Sequence, residues 1–276
     1  MKLSTFREYS AHSFEISYLK KLKALGYDGI DFCFNPALFA NGKEDRIIEE
    51  IKEKFDAAGL VCSQVHLPFY GLKRPSDCYD EFIEYQMRGA LKAMTVLGAK
   101  WGAWHPINAT ECNYDRRVAM KANQEMLKRH LETAEKYGVG IAVENIFAPF
   151  FSWQVEDHVE LIESMNSPLV GACWDFGHAN LQVSERGHVE DFKMIVDKIK
   201  ILHVNDNHAC EDRHLCPGIG TAKFSELLPI LFRSGFEGFF NMECGVHCRT
   251  EALDLTYYDC IAKCARLLID EAMAKL

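Results

Sequence analysis

Short apolar stretches alternate with longer amphipathic stretches along the whole chain. The short stretches are rich in aliphatic and aromatic residues with few polar positions, which is typical of strands buried on both faces. They predict eight strands, at residues 2–6, 29–34, 60–66, 101–105, 140–145, 169–175, 200–205 and 238–243. The stretches between them carry apolar residues at helical spacing, so we expect a helix after each strand.

The stretch 114–138 shows the helical pattern most clearly. Its apolar positions fall on one helical face, at Ala119, Ala122, Met126, Leu127, Leu131 and Ala134. A glycine stands where this helix should end, at Gly138, and Gly26 and Gly235 hold the same position before strands two and eight. A left-handed glycine commonly ends a helix, so these glycines predict the helix boundaries.

Eight strand–helix units predict an α/β fold, a single (β/α)8 TIM barrel domain over residues 1–276. Strands begin roughly every 30–40 residues, the length of one strand–helix unit with its loops. No Pro/Gly/Ser-rich linker or change of composition divides the chain. A doubly wound open sheet is the competing arrangement, and eight uninterrupted repeats favour the closed barrel over it.

Composition limits the classes of function. The chain has a net charge of −9, which argues against broad contact with nucleic acid phosphates or anionic lipid. We find no secretory signal pattern and no run near the ~20 apolar residues of a membrane span, so we expect a cytoplasmic protein without membrane contact. The eleven cysteines are scattered without a Cys-x-x-Cys pair and predict free thiols.

Ionisable residues stand at the carboxyl ends of six consecutive predicted strands. These residues are His66, His105, Glu144, Asp175 with His178 after it, His203, and Glu243. A single such residue is more often a packed histidine, a helix cap or a solvated carboxylate. Six strands with such residues at one rim are different, because barrels carry their chemistry there and buried polar groups must be paired or bind a cation.

Strands five to eight together offer three carboxylates and one imidazole. The four residues are Glu144, Asp175, His203 and Glu243. This set suits one divalent ion, Mn²⁺, Mg²⁺, Zn²⁺ or Co²⁺, and the ligand types alone do not choose among them. The other rim residues would complete further sites, bind substrate or orient the ligands.

The segment HVNDNHACEDRHLCPGIG, residues 203–220, is predicted to be strand seven and its loop. Asp212 and His214 on this loop would bind a second metal or the substrate. Gly218 and Gly220 would allow a tight turn close to a ligand. Loops after strands seven and eight often hold phosphate in barrels, so Arg213 and this glycine turn are the predicted phosphate site if the substrate is phosphorylated.

These motifs resemble the xylose-isomerase-like TIM barrel superfamily. The resemblance rests on the order and spacing of AVEN, WDFGHAN, HVND and NMEC, which contain Glu144, Asp175 with His178, His203 and Glu243. It implies a metal-dependent sugar or sugar-phosphate isomerase or epimerase. Glu144, Asp175, His203 and Glu243 would bind the metal, and His178 would contact substrate oxygens. The two glutamates would exchange a proton at C3 through an enediolate.

The same resemblance leaves two other activities open. EDRHLCPGIG is similar to a segment of the endonuclease IV-type enzymes, and with His66, His105 and His178 the chain matches all nine ligands of their three-metal cluster. This implies a phosphodiesterase with two or three zinc ions. The segment after His66 and the loop before Asp212 depart from that pattern. A dehydratase acting on inosose or another polyol is the second alternative, because an enediolate can also expel a β-hydroxyl.

The predicted partner is therefore a small sugar or sugar phosphate, and nucleic acid is not expected. A non-catalytic sugar-binding barrel is a further alternative, disfavoured by the ligand-rich rim. Aromatic residues after strand five would form a homo-oligomer contact or pack over the site: Phe147, Phe150, Phe151 and Trp153.

Overall fold

The computed structural model describes residues 1–9, 14–39, 42–69, 81–107, 112–147, 151, 154–182, 184–244 and 248–276. Its strands are Leu3–Glu8 (β1), Gly29–Cys33 (β2), Val61–His66 (β3), Trp101–Trp104 (β4), Gly140–Glu144 (β5), Val170–Asp175 (β6), Ile199–His203 (β7) and Phe240–Met242 (β8). Each overlaps a strand predicted from the sequence. The alternation of apolar and amphipathic stretches thus locates all eight strands.

The helices of the described ranges are Ile16–Ala24 (α1), Glu44–Ala58 (α2), Glu81–Leu97 (α3), Arg116–Tyr137 (α4), Val155–Ser164 (α5), Phe176–Asn180 (α6), His188–Ile195 (α7), Phe224–Arg233 (α8) and Glu251–Met273 (α9). Two 3₁₀ turns, Pro36–Phe39 and Val196–Lys198, accompany them. None of these helices is long and apolar enough to cross a membrane. The cysteines in the described ranges are free thiols, as predicted.

The eight strands form one parallel sheet in the order β7-β6-β5-β4-β3-β2-β1-β8. A parallel bridge between Val204 and Met242 joins the two ends of the sheet. At this seam the Val204 amide donates to the Asn241 carbonyl at 2.8 Å, and the Glu243 amide donates to the Val204 carbonyl at 3.0 Å. The sheet is therefore closed into the predicted (β/α)8 barrel, and the open doubly wound alternative is excluded.

Helix α4 shows how the sequence sets the helix boundaries. The Asp115 side chain accepts hydrogen bonds from the amides of Arg117 and Val118 and caps the first turn. The helix ends at Gly138, whose φ of 66° is left-handed. The apolar stripe between these ends is buried or half-buried against the barrel. Gly26 and Gly235 also have positive φ, so the predicted helix ends are confirmed.

The inside of the barrel holds one apolar group and one polar group of buried side chains. Buried apolar side chains form one cluster: Ala103, Ala142, Cys173 and Ile201, with Trp101 packed against them. A fully buried polar layer also lies inside the barrel, formed by Ser4, Asp31, Gln64 and Asn241. The ionisable residues of the strand ends lie at the rim. The fold thus brings these groups together on a rigid support.

Candidate metal centre

The carboxyl ends of strands β3 to β8 carry the residues of the site. His66, Glu144, Asp175 and His203 are the last residues of β3, β5, β6 and β7. His105 and Glu243 directly follow β4 and β8. Parallel register keeps the neighbouring ends level, since Asp175 pairs with His203 across β6 and β7. The rim position predicted for all six residues is therefore observed.

Four of these residues form a central cluster: Glu144, Asp175, His203 and Glu243. All four are buried, and their ligand atoms lie within 4.8 Å of one another. His203 Nδ1 is 3.1 Å from Glu144 Oε1 and 3.1 Å from Glu243 Oε2. Three buried carboxylates around one imidazole nitrogen require compensating positive charge. This oxygen-rich donor set fits a divalent cation.

The three carboxylates of the central cluster differ in pKa. Burial raises the pKa of Asp175 to about 7 despite the opposing charge of His178. Burial also opposes ionisation of Glu243, but His203 outweighs it and holds the pKa of Glu243 at about 2. The pKa of Glu144 is well below its ordinary value because His203 and His105 outweigh burial. His203 therefore keeps both glutamates ionised, whereas Asp175 is partly protonated near neutral pH.

A second group shares Glu144 with the central cluster. His105 Nε2 is 3.0 Å from Glu144 Oε2, and His66 Nε2 is 3.8 Å from the same oxygen. The His66 ring also lies 4.8 Å from the His105 ring, centroid to centroid. Phe69, which is half exposed, contacts both rings at 4.8 Å. These groups line one side of the rim.

A third group lies on the opposite side of Glu144. His178 on α6 and His214 on the β7 loop place their Nε2 atoms 3.4 and 3.2 Å from Asp212 Oδ2. Burial lowers the pKa of His214, but Asp212 and Glu243 overcome this and raise it to about 10. Asp212 and His214 are thus brought to the site, as the sequence predicts.

Backbone carbonyls fix three of the histidine rings. The Nδ1 atoms of His66, His178 and His214 contact the carbonyl oxygens of Leu67, Asn145 and Glu243 at 3.0, 2.9 and 2.7 Å. A carbonyl only accepts, so each Nδ1 carries a proton. Each Nε2 then faces a carboxylate oxygen, a contact that needs a proton or a cation between the two atoms.

The amides of the glycine turn in the β7 loop bind a side chain of the same loop. The amides of Gly218 and Gly220 both donate to Asp206 Oδ2 at 2.9 Å. Arg213 is exposed and pairs with Glu211. Both glycine amides are therefore bonded within the loop, and a phosphate site at Arg213 and this turn stays a prediction.

The aromatic residues after β5 fall partly within the described ranges. The Phe147 ring lies 5.2 Å from the His178 ring, and Phe151 is buried. This agrees with packing beside the site. Phe150 and Trp153 lie outside the described residues. The homo-oligomer contact stays a prediction.

Sequence reasoning missed the amide side chains around the cluster. Asn145 holds the backbone of Asp175 through hydrogen bonds of 2.7 and 2.9 Å, and Asn205 Nδ2 donates to Asp175 Oδ2 at 2.8 Å. Asp31, buried in the lumen beneath His203, was also missed. The available signals were asparagines beside the ionisable motifs and a charged residue within an apolar strand.

Comparison with known proteins identifies relatives over most of the chain. The profile of the family described as xylose isomerase-like TIM barrel matches residues 19–257. An uncharacterized protein of Methanocaldococcus jannaschii is 25% identical over 233 residues, which are 82% of this chain and 78% of the relative. Fructoselysine 3-epimerase of Escherichia coli O157:H7 is 24% identical over 242 residues, 79% of this chain and 81% of that enzyme.

Solved structures share the fold over the full length. A D-tagatose 3-epimerase-like protein superposes with a TM-score of 0.76 at 22% identity, covering 99% of this chain and 100% of its own. The IolI protein with a bound zinc atom superposes with a TM-score of 0.77 at 21% identity, covering 99% of both chains. At this identity the likeness is one of fold.

Proposed function

The chain belongs to the xylose isomerase-like TIM barrel family, and we propose that it is a divalent-metal-dependent sugar or sugar-phosphate isomerase or epimerase. Epimerases recur among its relatives and structural neighbours. The observation that carries the proposal is the pair Glu144 and Glu243, two buried glutamates whose oxygens each lie 3.1 Å from His203 Nδ1. They come from strands β5 and β8, so they reach the cluster from two sides.

Glu144, Asp175, His203 and Glu243 would hold the ion, which IolI, a structural neighbour, contains as zinc. A bound divalent ion would polarise the substrate carbonyl and stabilise an enediolate. The pKa values of Glu144 and Glu243 lie below their ordinary range because of the charge on His203, so both are carboxylates at neutral pH. One glutamate would remove the C3 proton as a carboxylate, and the other, after taking a proton from solvent, would donate that proton to the opposite face and so invert the carbon.

Proton exchange at the substrate carbon tests the proposal. D-fructose, D-tagatose, D-psicose and fructose 6-phosphate in D₂O would be followed by NMR with the purified protein. We expect the unmodified protein to incorporate deuterium at C3 of at least one ketose. Glu144→Gln and Glu243→Gln should each lower that rate about 10²–10⁴-fold, the contribution of a positioned acid or base.

Metal content must be measured beside activity, because both glutamates are also proposed ligands. Elemental analysis would show whether each variant retains its ion. Glu211→Gln, an exposed acid of the β7 loop, is the matched control and should exchange normally. Normal exchange in both active-site variants, or no exchange by the unmodified protein with any ketose, would contradict the proposal.

A three-zinc phosphodiesterase is the second candidate. The rings of His66, His178 and His214 favour it. Backbone carbonyls fix the Nδ1 atom of each ring, and each Nε2 atom faces a carboxylate. Several cations can together hold an attacking water and a leaving oxygen. Three ions per chain with nicking of abasic duplex DNA would establish this activity, whereas one ion without nicking would favour the isomerase. Analysis of the product for loss of water would identify a dehydratase.

A further inference from the structure

Asp31 is a fully buried carboxylate below the rim, on the inward face of β2. Its Oδ2 accepts hydrogen bonds from Gln64 Nε2 at 3.0 Å and from Asn241 Nδ2 at 2.7 Å. Asn241 is itself held by Ser4, whose Oγ donates to it at 2.8 Å. Two amide donors fix this carboxylate in a lumen where ionised groups are costly to bury. Its position is therefore well defined.

The two ring nitrogens of His203 face different partners. Nδ1 points to the carboxylates of the central cluster, at 3.1 Å from both Glu144 and Glu243. Nε2 lies 3.5 Å from Asp31 Oδ2 and makes no hydrogen bond within the described ranges. An imidazole that binds a cation through Nδ1 carries its remaining proton on Nε2. That proton would point at Asp31.

We propose that Asp31 is a positioning residue for His203, which accepts the Nε2 proton and thereby fixes the ring with Nδ1 toward the cation. The inference rests on the proposed metal centre. The ring has a second support, since it stacks on His66 with centroids 5.4 Å apart. Stacking limits the tilt of the ring but does not select which nitrogen is protonated. Among the described residues, Asp31 offers the carboxylate beside Nε2, and the Cys173 thiol also lies within 4.8 Å of a His203 ring nitrogen.

A structural role in the polar layer makes a different prediction, and paired variants separate the two. Asp31→Asn keeps the shape of the side chain and removes its charge. Ser4→Ala is the matched control, because it removes a hydrogen bond from the same layer without touching His203. Zn²⁺ affinity would be measured by competition with a chromogenic chelator, and urea unfolding of the metal-free proteins would confirm that both variants fold.

We expect Asp31→Asn to weaken Zn²⁺ binding about 10–100-fold, the usual effect of removing such a partner, and Ser4→Ala, which keeps the Asp31 carboxylate, to weaken it less. Asp31→Asn with unchanged affinity, or with no greater loss than Ser4→Ala, would overturn this inference alone. An unmodified protein that does not bind Zn²⁺ would overturn the metal centre and this inference with it.

A second measurement needs no change at Asp31. NMR of the zinc-loaded unmodified protein with ¹⁵N-labelled histidine would show which nitrogen of His203 is protonated. The signal would be assigned by its loss in His203→Asn. A proton on Nε2 is the expected result, and a proton on Nδ1 would rule the inference out.

Discussion

Two core histidines should make the folded protein sensitive to acid. His130 on α4 and His158 on α5 are buried, and burial lowers the pKa of each to about 4. In the unfolded chain their pKa is about 6.5, so the unfolded state binds more protons between the two values. Stability is therefore lost as the pH falls through this window, by about 2 kcal/mol per histidine between pH 7 and pH 5.

Urea unfolding of His130→Leu at pH 7 and pH 5 tests this expectation. The variant should lose about 2 kcal/mol less than the unmodified protein over that interval. Histidines at the candidate metal centre are common to both proteins, so their contribution cancels. His208→Asn, at an exposed position, should retain the full dependence. An equal loss in His130→Leu would show that His130 is not held neutral.

Position along a strand identifies the residues of the site better than residue type does. Glu144 and Asp175 were found because they end apolar strands, and the rim of a parallel barrel gathers such ends. Asp31 was not found, because it lies in the middle of β2 and its partners Gln64 and Asn241 are distant in sequence. Only the closed barrel brings them together. Pattern reasoning therefore identifies the rim and misses the layer beneath it.

At the scale of elements, the β7 loop depends on one carboxylate. Asp206 pairs with Leu215 through both backbone groups, at 3.0 and 2.8 Å. Its side chain accepts from the amides of Asn207, Gly218, Gly220 and Ala222. The segment closed by this pairing carries two residues of the site, Asp212 and His214. Asp206 therefore sets the shape of the loop.

Asp206→Asn should destabilise the protein by about 1–3 kcal/mol, because asparagine keeps one acceptor oxygen and two of the four amides lose theirs. Urea unfolding measures this loss, and hydrogen exchange at the Gly218 and Gly220 amides should become faster. Glu211→Gln changes an exposed acid of the same loop and should leave both properties unchanged. If Asp206→Asn changed neither the free energy of unfolding nor the hydrogen exchange of these amides, the glycine turn would keep its shape without the Asp206 carboxylate.

Short elements at the rim were beyond prediction for a physical reason. Helix α6 has five residues, too few for a helical period to show in the sequence. It begins where the Asp175 side chain accepts from the His178 amide at 2.6 Å. One carboxylate thus caps a helix and faces the site. The long helices, with a full apolar stripe and a glycine at the end, were predictable.

Closure of the whole barrel depends on a short seam. Strands β7 and β8 meet at one bridge, Val204 with Met242, whereas neighbouring strands elsewhere pair along a ladder. The proposed metal site spans this seam, since His203 ends β7 and Glu243 follows β8. An ion bound by both residues would tie the two ends of the sheet together. Metal binding and barrel closure should therefore be coupled.

Removing the metal should weaken the seam more than the rest of the barrel. At a free metal concentration 100 times the Kd, binding to the folded state adds about 2.7 kcal/mol to the free energy of unfolding, and chelation removes it. Hydrogen exchange would show where the barrel opens. The seam amides of Val204 and Glu243 should lose more protection than the Ile141 amide, which donates to Leu169 at the other end of β5.

The amide of Ile141 makes the measurement selective. An ion that only stabilised the folded state against complete unfolding would slow hydrogen exchange at all three amides equally, because all three would then exchange through complete unfolding. A larger change at Val204 and Glu243 requires local opening between β7 and β8, which the ion prevents. Equal changes would contradict the coupling while leaving the metal centre intact. If chelating a bound ion changed the hydrogen exchange of none of these amides, the metal ligands would not bridge the seam.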